Sequence, residues 1–227
     1  MNAGQTCIAP DYLLLPEEMV DAFVAASRQI IPDRYRELAV VDYTAIIDAA
    51  SYGRLMAVLD DARSKGATLV DLIPGSESDE GLRKIQPTIV LNVTEEMELM
   101  QREIFGPILP IKTYKDIGEC IAYINAHERP LALYLFTNDR TVRRNVLTNT
   151  VSGGVCVNDC MMHVVQHDLP FGGIGNSGMG QYHAYEGFLE FSKLRPVFMQ
   201  AAKPLASSFV LPPYGKTFRV MYDLLIR

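Results

Sequence analysis

Leu131-Ala132-Leu133-Tyr134-Leu135-Phe136, followed by Thr137-Asn138 and a polar stretch to residue 149, then by Val155-Cys156-Val157, is the part of the sequence that decides the fold. The first run is almost continuously apolar, the pattern expected of a central strand buried on both faces. Asn138 is placed to cap a helix over residues 139–149. The run at 155–157 then returns as a strand. Strand, helix and strand at this spacing predict a right-handed crossover in a parallel sheet.

The same alternation extends toward the amino terminus. Tyr12-Leu13-Leu14-Leu15, closed by Pro16, predicts a strand. Glu17 and Glu18 favour the start of a helix over residues 17–30, with Met19, Val20, Phe23, Val24 and Ile30 near helical spacing. Ser51 opens a clearer helix that carries Leu55, Met56, Leu59 and Ala62 on one face and ends at Gly66. Ala67-Thr68-Leu69-Val70 predicts the next strand, and residues 74–82 a solvated loop. Pro87-Thr88-Ile89-Val90-Leu91 reads as a strand with proline at its first position, where no ladder donor is lost. A further strand is expected over 108–111. Asp116 and Glu119 have capping-box spacing before a helix bearing Ile117, Cys120, Ile121 and Ile124. The fold class is therefore α/β with a parallel sheet. Residues 194–200 fit one more strand, whereas 201–216 are rich in Ala, Ser and Pro and have no period.

Composition narrows the function. The chain has 227 residues and a mass of 25.3 kDa, enough to bury roughly 70% of its extended surface without a disulfide or metal staple. Apolar residues make up 48% and charged residues 21%, as in ordinary globular domains. A net charge of −6 with no basic block weighs against nucleic acid and anionic membranes as partners. No apolar run approaches the roughly 18 residues of a membrane span. Residues 1–7 lack a basic segment followed by an apolar one, so no export signal is expected, and the four cysteines fit reduced thiols in the cytoplasm. Neither a Gly-x-Gly-x-x-Gly fingerprint nor a phosphate-binding Gly-x-x-x-x-Gly-Lys loop is present.

Several groups of residues carry chemistry. Cys7, in Asn2-Ala3-Gly4-Gln5-Thr6-Cys7, is a nucleophile where its thiolate is stabilised, and its own amide can face an oxyanion; the alternative is a free cysteine near a frayed terminus. Glu103-Ile104-Phe105-Gly106-Pro107 places an acid and an aromatic ring on one face if the backbone is extended, a pair suited to a sugar hydroxyl and a planar ring or simply to a helix end and a core. Pro170-Phe171-Gly172-Gly173 opens a segment with five glycines in the nine positions 172–180, read either as close backbone packing or as a loop lining a ligand path. Tyr182-His183 after it reads by default as a buried, hydrogen-bonded pair. Cys156, Cys160, His163 and His167 have zinc-ligand chemistry at spacings x3, x2 and x3. Cys156, however, lies inside an apolar strand, and no metal site is expected.

Taken together, Asn2–Cys7, Glu103–Pro107 and Pro170–Gly173 with Ser177-Gly178 and Gly180 resemble the aldehyde dehydrogenase superfamily. Asn158-Asp159-Cys160, His163 and Gly178-Met179-Gly180-Gln181-Tyr182-His183 are closest to the coniferyl aldehyde dehydrogenases within it. The resemblance covers residues 2 to about 200. It implies a three-layer α/β catalytic domain over 1–193 and an oligomerisation strand and tail over 194–227. It implies Cys7 as the catalytic nucleophile, Glu103 as a ligand of the nicotinamide ribose, Phe105 beside the nicotinamide, and Phe171, Gly172 and Gly173 in the substrate-entrance loop. The cofactor implied is NAD or NADP, the substrate an aldehyde of coniferyl or other aromatic type, and the full-length assembly a homodimer or homotetramer. The family's Glu-Leu-Gly-Gly general base and its nucleotide-binding half have no counterpart in these residues. The expectation is thus a partial chain inactive by itself, or alternatively a catalytically dead remnant that binds a partner chain.

Overall fold

The computed structural model describes residues 2–202 and 211–226. Two units are distinguished, Met1–Phe191 and Ser192–Arg227.

The first unit is built on a four-stranded sheet of β1 (Leu13–Pro16), β2 (Thr68–Asp71), β3 (Thr88–Leu91) and β4 (Ile108–Tyr114). Its order is β1-β4-β3-β2. Strand β4 runs parallel to both neighbours, with Leu13 opposite Ile111 and Thr88 opposite Ile108, but β2 pairs antiparallel to β3, so the parallel sheet expected from the sequence is corrected to a mixed one with an antiparallel edge strand. Alternation along the strands sorts side chains onto two faces. Val90 points to a core filled by Tyr52, Leu55, Val58, Leu59 and Ala62 of α2 (Ala49–Ser64), whereas its neighbour Ile89 joins Leu15, Val70 and Ile111 against Val20, Phe23, Val24 and Ile31 of α1 (Val20–Arg34). Helix, sheet and helix make the three layers, and the unit also carries two short helices, α3 (Glu98–Gln101) and α6 (Ala184–Glu190).

The helices start and stop for identifiable reasons. Helix α2 is capped by Asp48, whose Oδ1 accepts from Ser51 N at 2.7 Å, so the cap lies three residues before the expected Ser51. It ends as predicted at Gly66. There φ is 90°, and Ala67 N donates to Ala62 O at 3.0 Å while Gly66 N donates to Arg63 O at 3.1 Å. These are the paired bonds of a left-handed helix end that only glycine adopts without strain. Of the capping box expected at Asp116 the cap itself forms, with Oδ1 accepting from Gly118 N (2.7 Å) and Glu119 N (3.3 Å) at the start of α4 (Ile117–Ala126), while the return bond goes one residue beyond the cap. The Glu119 side chain reaches back to Lys115 N, at 3.0 Å.

The segment that decided the fold class forms β5 (Ala132–Leu135), α5 (Arg140–Asn149) and β6 (Gly154–Val157), with β5 and β6 parallel. Asp139, not Asn138, caps α5 through bonds to Thr141 N and Val142 N. The expectation of a central strand buried on both faces is corrected. Strand β5 pairs only with β6 among the described residues, Leu133 and Leu135 pack on Val146 and Val142, and Phe136 is 62% exposed. Tyr134 on the other face carries a polar tip that bonds a loop, as described below.

The second unit also departs from expectation. Residues 194–200 join no ladder among the described residues, and a strand needs an edge to pair with. Residues 203–210 of the irregular tail lie outside the described residues. Beyond them α7 (Lys216–Ile226) forms, with the rings of Tyr214, Phe218 and Tyr222 in succession at 4.6 and 6.1 Å. That four-residue spacing of aromatic rings supplies the periodicity missing over 201–216.

Candidate active site

Asn2, Ala3 and Gly4 all have positive φ (51°, 46° and 75°), an arrangement that costs L-residues free energy and persists only where surroundings impose it. Asn2 and Gln5 brace this left-handed turn. Asn2 Nδ2 donates to Gln5 O at 2.8 Å, and Gln5 N donates to Asn2 O at 2.9 Å. The Gln5 side chain then ties the turn to a distant loop, donating to Ala45 O (3.0 Å) and accepting from Ile47 N (2.9 Å). The Cys7 turn follows, closed by Ala9 N donating to Thr6 O at 2.8 Å. Cys7 is exposed, while the next residue, Ile8, is 3% exposed and anchors the turn in the interior. Tyr134 of β5 donates its hydroxyl to Ile8 O at 2.5 Å. The Cys7 amide has no hydrogen-bond partner among the described residues, which leaves it available to an oxyanion.

Two of the three motifs meet here through bare backbone. A Cβ on Gly4 would collide with the carbonyl of Gly106, and one on Gly106 would lie 2.5 Å from Leu55 Cδ2. The cysteine turn, the 103–107 segment and α2 are thus stacked with no room for a methyl group. Within 103–107, Glu103 is exposed, Ile104 is 2% exposed, and Phe105 is 40% exposed with φ at 52°. The extended backbone expected through this motif is therefore broken at Phe105. A non-glycine residue in that region is a strained conformation of the kind concentrated at functional sites. Asp11 Oδ1 accepts from Ile104 N (2.8 Å) and Arg54 Nη2 donates to Ile104 O (2.7 Å). Burial raises the Asp11 carboxyl pKa. The Ile104 hydrogen bond opposes the rise, Glu103 adds to it, and Arg54 opposes it.

The third motif is a knot of close backbone. Phe171 and Tyr182 exchange two hydrogen bonds of 2.8 Å, and Ser177 Oγ accepts from Ile174 N at 2.9 Å. Cβ atoms on Gly172 or Gly173 would strike the backbone of Gly180 and Ser177. Of the two readings of this glycine-rich segment, close packing accounts for these positions. The Phe171 ring lies 6.0 Å from His163, which lies 6.0 Å from Tyr134. This line of contacts runs from the 171–173 loop to Ile8, next to Cys7. His183 stacks on Phe171, and Tyr182 meets both rings edge-on; against the expectation of a buried pair Tyr182 is exposed and His183 only half-buried, while His183 Nδ1 lies 3.1 Å from Leu169 O, within hydrogen-bond distance.

Of the four zinc-type side chains, the two histidines pack on different rings. Cys156 is on β6, His163 packs on Tyr134 and Phe171, and His167 packs on His183 at 5.8 Å. No group of three metal-ligating side chains is found among the described residues. Burial pushes the Cys120 thiol up to about 11, with Glu119 and Asp116 adding to it, which makes that cysteine an inert core residue. The Tyr134 hydroxyl is likewise pushed up to about 12, mainly by burial, so it stays a neutral donor to Ile8. A cavity of about 410 Å³ lies between α1 and the sheet beneath Ala3 and Gly4, lined by Phe23, Ile31, Tyr35 and Tyr43. Cys7, Glu103 and Phe105 are not part of it.

Asp11 and Arg54 had no role in the sequence reading, and Gln5, Tyr134 and His163 entered it only as members of their motifs, without the contacts found here. Asp11 alone left a signal, a carboxylate set between proline and an apolar strand four residues after Cys7.

In this three-layer α/β unit the turn that carries exposed Cys7 thus packs, through Gly4 and Gly106, on the segment that carries exposed Glu103 and Phe105. The aldehyde dehydrogenase family model matches residues 1–197, and the chain belongs to that family. It is 46% identical over 228 residues to a coniferyl aldehyde dehydrogenase of a Pseudomonas species, covering 99% of this chain and 47% of that protein. Among solved structures it matches a substrate-bound aldehyde dehydrogenase of Staphylococcus aureus with a TM-score of 0.79 and 36% identity, covering 98% of this chain and 47% of the other. A betaine aldehyde dehydrogenase of the same organism, in complex with NAD+, matches at a TM-score of 0.71 and 26% identity over 84% of this chain and 38% of the other. The chain spans about half the length of the relatives it matches.

Proposed function

We propose that this chain contributes the nucleophile and part of the cofactor site of an NAD(P)+-dependent aldehyde dehydrogenase. The observation that carries the reading is the stack of Gly4 on Gly106, which joins the exposed Cys7 turn to exposed Glu103 and Phe105. The donor set fits the cofactor. Glu103 offers two carboxylate oxygens to a ribose diol, and the strained, half-exposed Phe105 offers a ring edge to a planar base. When bound, the nicotinamide supplies the hydride acceptor.

The residues of the chain do the rest. The Cys7 thiolate adds to the aldehyde carbon, forming a C–S bond and placing negative charge on the former carbonyl oxygen. The unpartnered Cys7 amide supports that oxygen as one half of an oxyanion hole. After oxidation the carbon is held as a thioester on Cys7, and hydrolysis by water frees the acid and restores the thiol. These 227 residues contain no Glu-Leu-Gly-Gly segment, so activation of that water is assigned to no residue here, and they are expected to turn over no aldehyde by themselves. An aromatic aldehyde of coniferyl type is the proposed substrate, supported by identity to a coniferyl aldehyde dehydrogenase. Phe171, Gly172 and Gly173 are proposed to border the entrance, supported by the contacts running through His163 and Tyr134 toward Cys7. No helix among the described residues is long and apolar enough to cross a membrane. A cytoplasmic homodimer or homotetramer, with residues 194–200 at the interface, completes the reading.

Alkylation of Cys7 in the natural gene product tests the cofactor part. The rate is expected to fall when NAD+ and an aromatic aldehyde are added together, and Glu103→Gln is expected to weaken that protection. Equal labelling with and without both ligands would refute the site.

A further inference from the structure

We propose that Asp11 and Arg54 are positioning residues that grip the backbone N–H and C=O of Ile104, one on each of its two flanking peptides, and so hold Glu103 and Phe105 in place for the cofactor. This rests on the reading of Glu103 and Phe105 given above. Ile104 is 2% exposed and lies in no strand or helix, so its N–H and C=O have no ladder to join. Both are met by side chains remote in sequence. Asp11 accepts the N–H at 2.8 Å across 93 residues, and Arg54 donates to the C=O at 2.7 Å across 50. The N–H belongs to the peptide that joins Glu103 to Ile104 and the C=O to the peptide that joins Ile104 to Phe105, so the two bonds fix the peptide planes on either side of Ile104 and with them both neighbours.

The grip also sets a register. Asp11 follows Cys7 by four residues, and Gly4, which packs on Gly106, precedes it by three. The nucleophile is therefore bracketed on both sides by contacts to the 103–107 segment. A half-buried carboxylate is costly, and this one sits where desolvation and the charge of Glu103 both work against its ionisation. Spending it on one backbone amide makes physical sense where the direction of that peptide matters. The strained φ of Phe105, adjacent to the gripped peptide, is the conformation the grip maintains.

Amide hydrogen exchange in the 227-residue chain, compared with cofactor kinetics in the natural gene product, tests the proposal. Asp11→Ala is expected to speed exchange of the Ile104 amide about tenfold to a hundredfold while leaving Val90 of β3 unchanged. Asp11→Asn keeps an accepting oxygen and is expected to restore most of the protection, and Arg54→Gln to weaken it. In the gene product, Asp11→Ala is expected to raise KM for NAD+ about tenfold with KM for the aldehyde unchanged. Ile104 exchange that is unaltered, that rises in step with Val90, or that Asp11→Asn fails to rescue would overturn the proposal, as would equal rises in both KM values. If exchange responds as expected but Glu103→Gln leaves KM for NAD+ untouched, the grip stands and the cofactor reading of Glu103 falls.

Discussion

His163 is 8% exposed, and neither ring nitrogen has a hydrogen-bond partner among the described residues. Its neighbours are the rings of Tyr134 and Phe171 and the backbone of Gly154, which a Cβ would bring to 2.8 Å from His163 Cδ2. An imidazole in such a place is held neutral, and burial sets its pKa below the ordinary 6.5. As pH falls, the unfolded chain takes up this proton first. The stability from neutral His163 is therefore full above pH 6.5 and is lost as pH drops below it toward the folded value. Asp48, Asp61 and Glu95 act in another window. Their folded pKa values are lowered below 3.8, 3.8 and 4.5, so their contribution is lost only under stronger acid. The melting temperature should fall between pH 7.5 and 5.5, and His163→Gln, which cannot take up that proton, should flatten the slope. An unchanged slope in the variant would show that another group titrates. Nothing in the spacing of Cys156, Cys160, His163 and His167 distinguished a ligand from a core imidazole, because that difference lies in which rings pack around it.

At the scale of elements, α2 meets the 103–107 segment through the Arg54–Ile104 hydrogen bond and through Leu55 under Gly106. Leu55 is fully buried, and the bare Cα of Gly106 rests on its methyl groups. Leu55→Ala should cost about 3 kcal/mol through the cavity it leaves. Gly106→Ala should also destabilise, since Leu55 cannot retreat from the new methyl. In the double variant the space made by one substitution receives the other, so the combined loss should fall short of the summed losses by about 1 kcal/mol or more. Additive losses in urea unfolding would mean that the contact is slack. Elements of this kind were legible where local rules act. The helix end at Gly66, the cap at Asp116 and the strand after Pro87 follow from backbone chemistry within a few residues. Strand β5 was legible in position but not in environment. An apolar run reports that water is avoided and not which layer does the covering, and here Tyr134 uses one face to bond Ile8. Helix α7 was missed because its ordering signal, rings at 214, 218 and 222, straddles the edge of the proline-rich stretch.

For the whole molecule, the α/β class was open to reading from strand and helix alternation and the three layers only through the family resemblance, while the split into a four-stranded sheet and the β5–β6 pair was open to neither. The motifs identified which residues carry chemistry, but the means of assembling them was hidden. Gly4 on Gly106 and Asp11 on Ile104 are contacts across about a hundred residues that no local pattern encodes. Much apolar surface remains open. In the first unit Tyr185 is 64% and Phe191 90% exposed, and in the second Leu194, Phe198 and Met199 are 75%, 87% and 86% exposed. Surface of that kind drives association. Light scattering should find the 227-residue chain above its monomer mass of 25.3 kDa, and a monodisperse monomer at working concentration would contradict this.

The central claim is that the Cys7 sulfur bonds the aldehyde carbon, and substitution of that one atom group tests it most directly. The natural gene product is assayed with NAD+ and an aromatic aldehyde, and the Cys7 peptide is weighed after rapid acid quench. The expected result is an acyl adduct on Cys7 in the native protein and loss of turnover by several orders of magnitude in Cys7→Ala. Native-rate oxidation by Cys7→Ala, or an adduct on Cys156 or Cys160 instead, would contradict it.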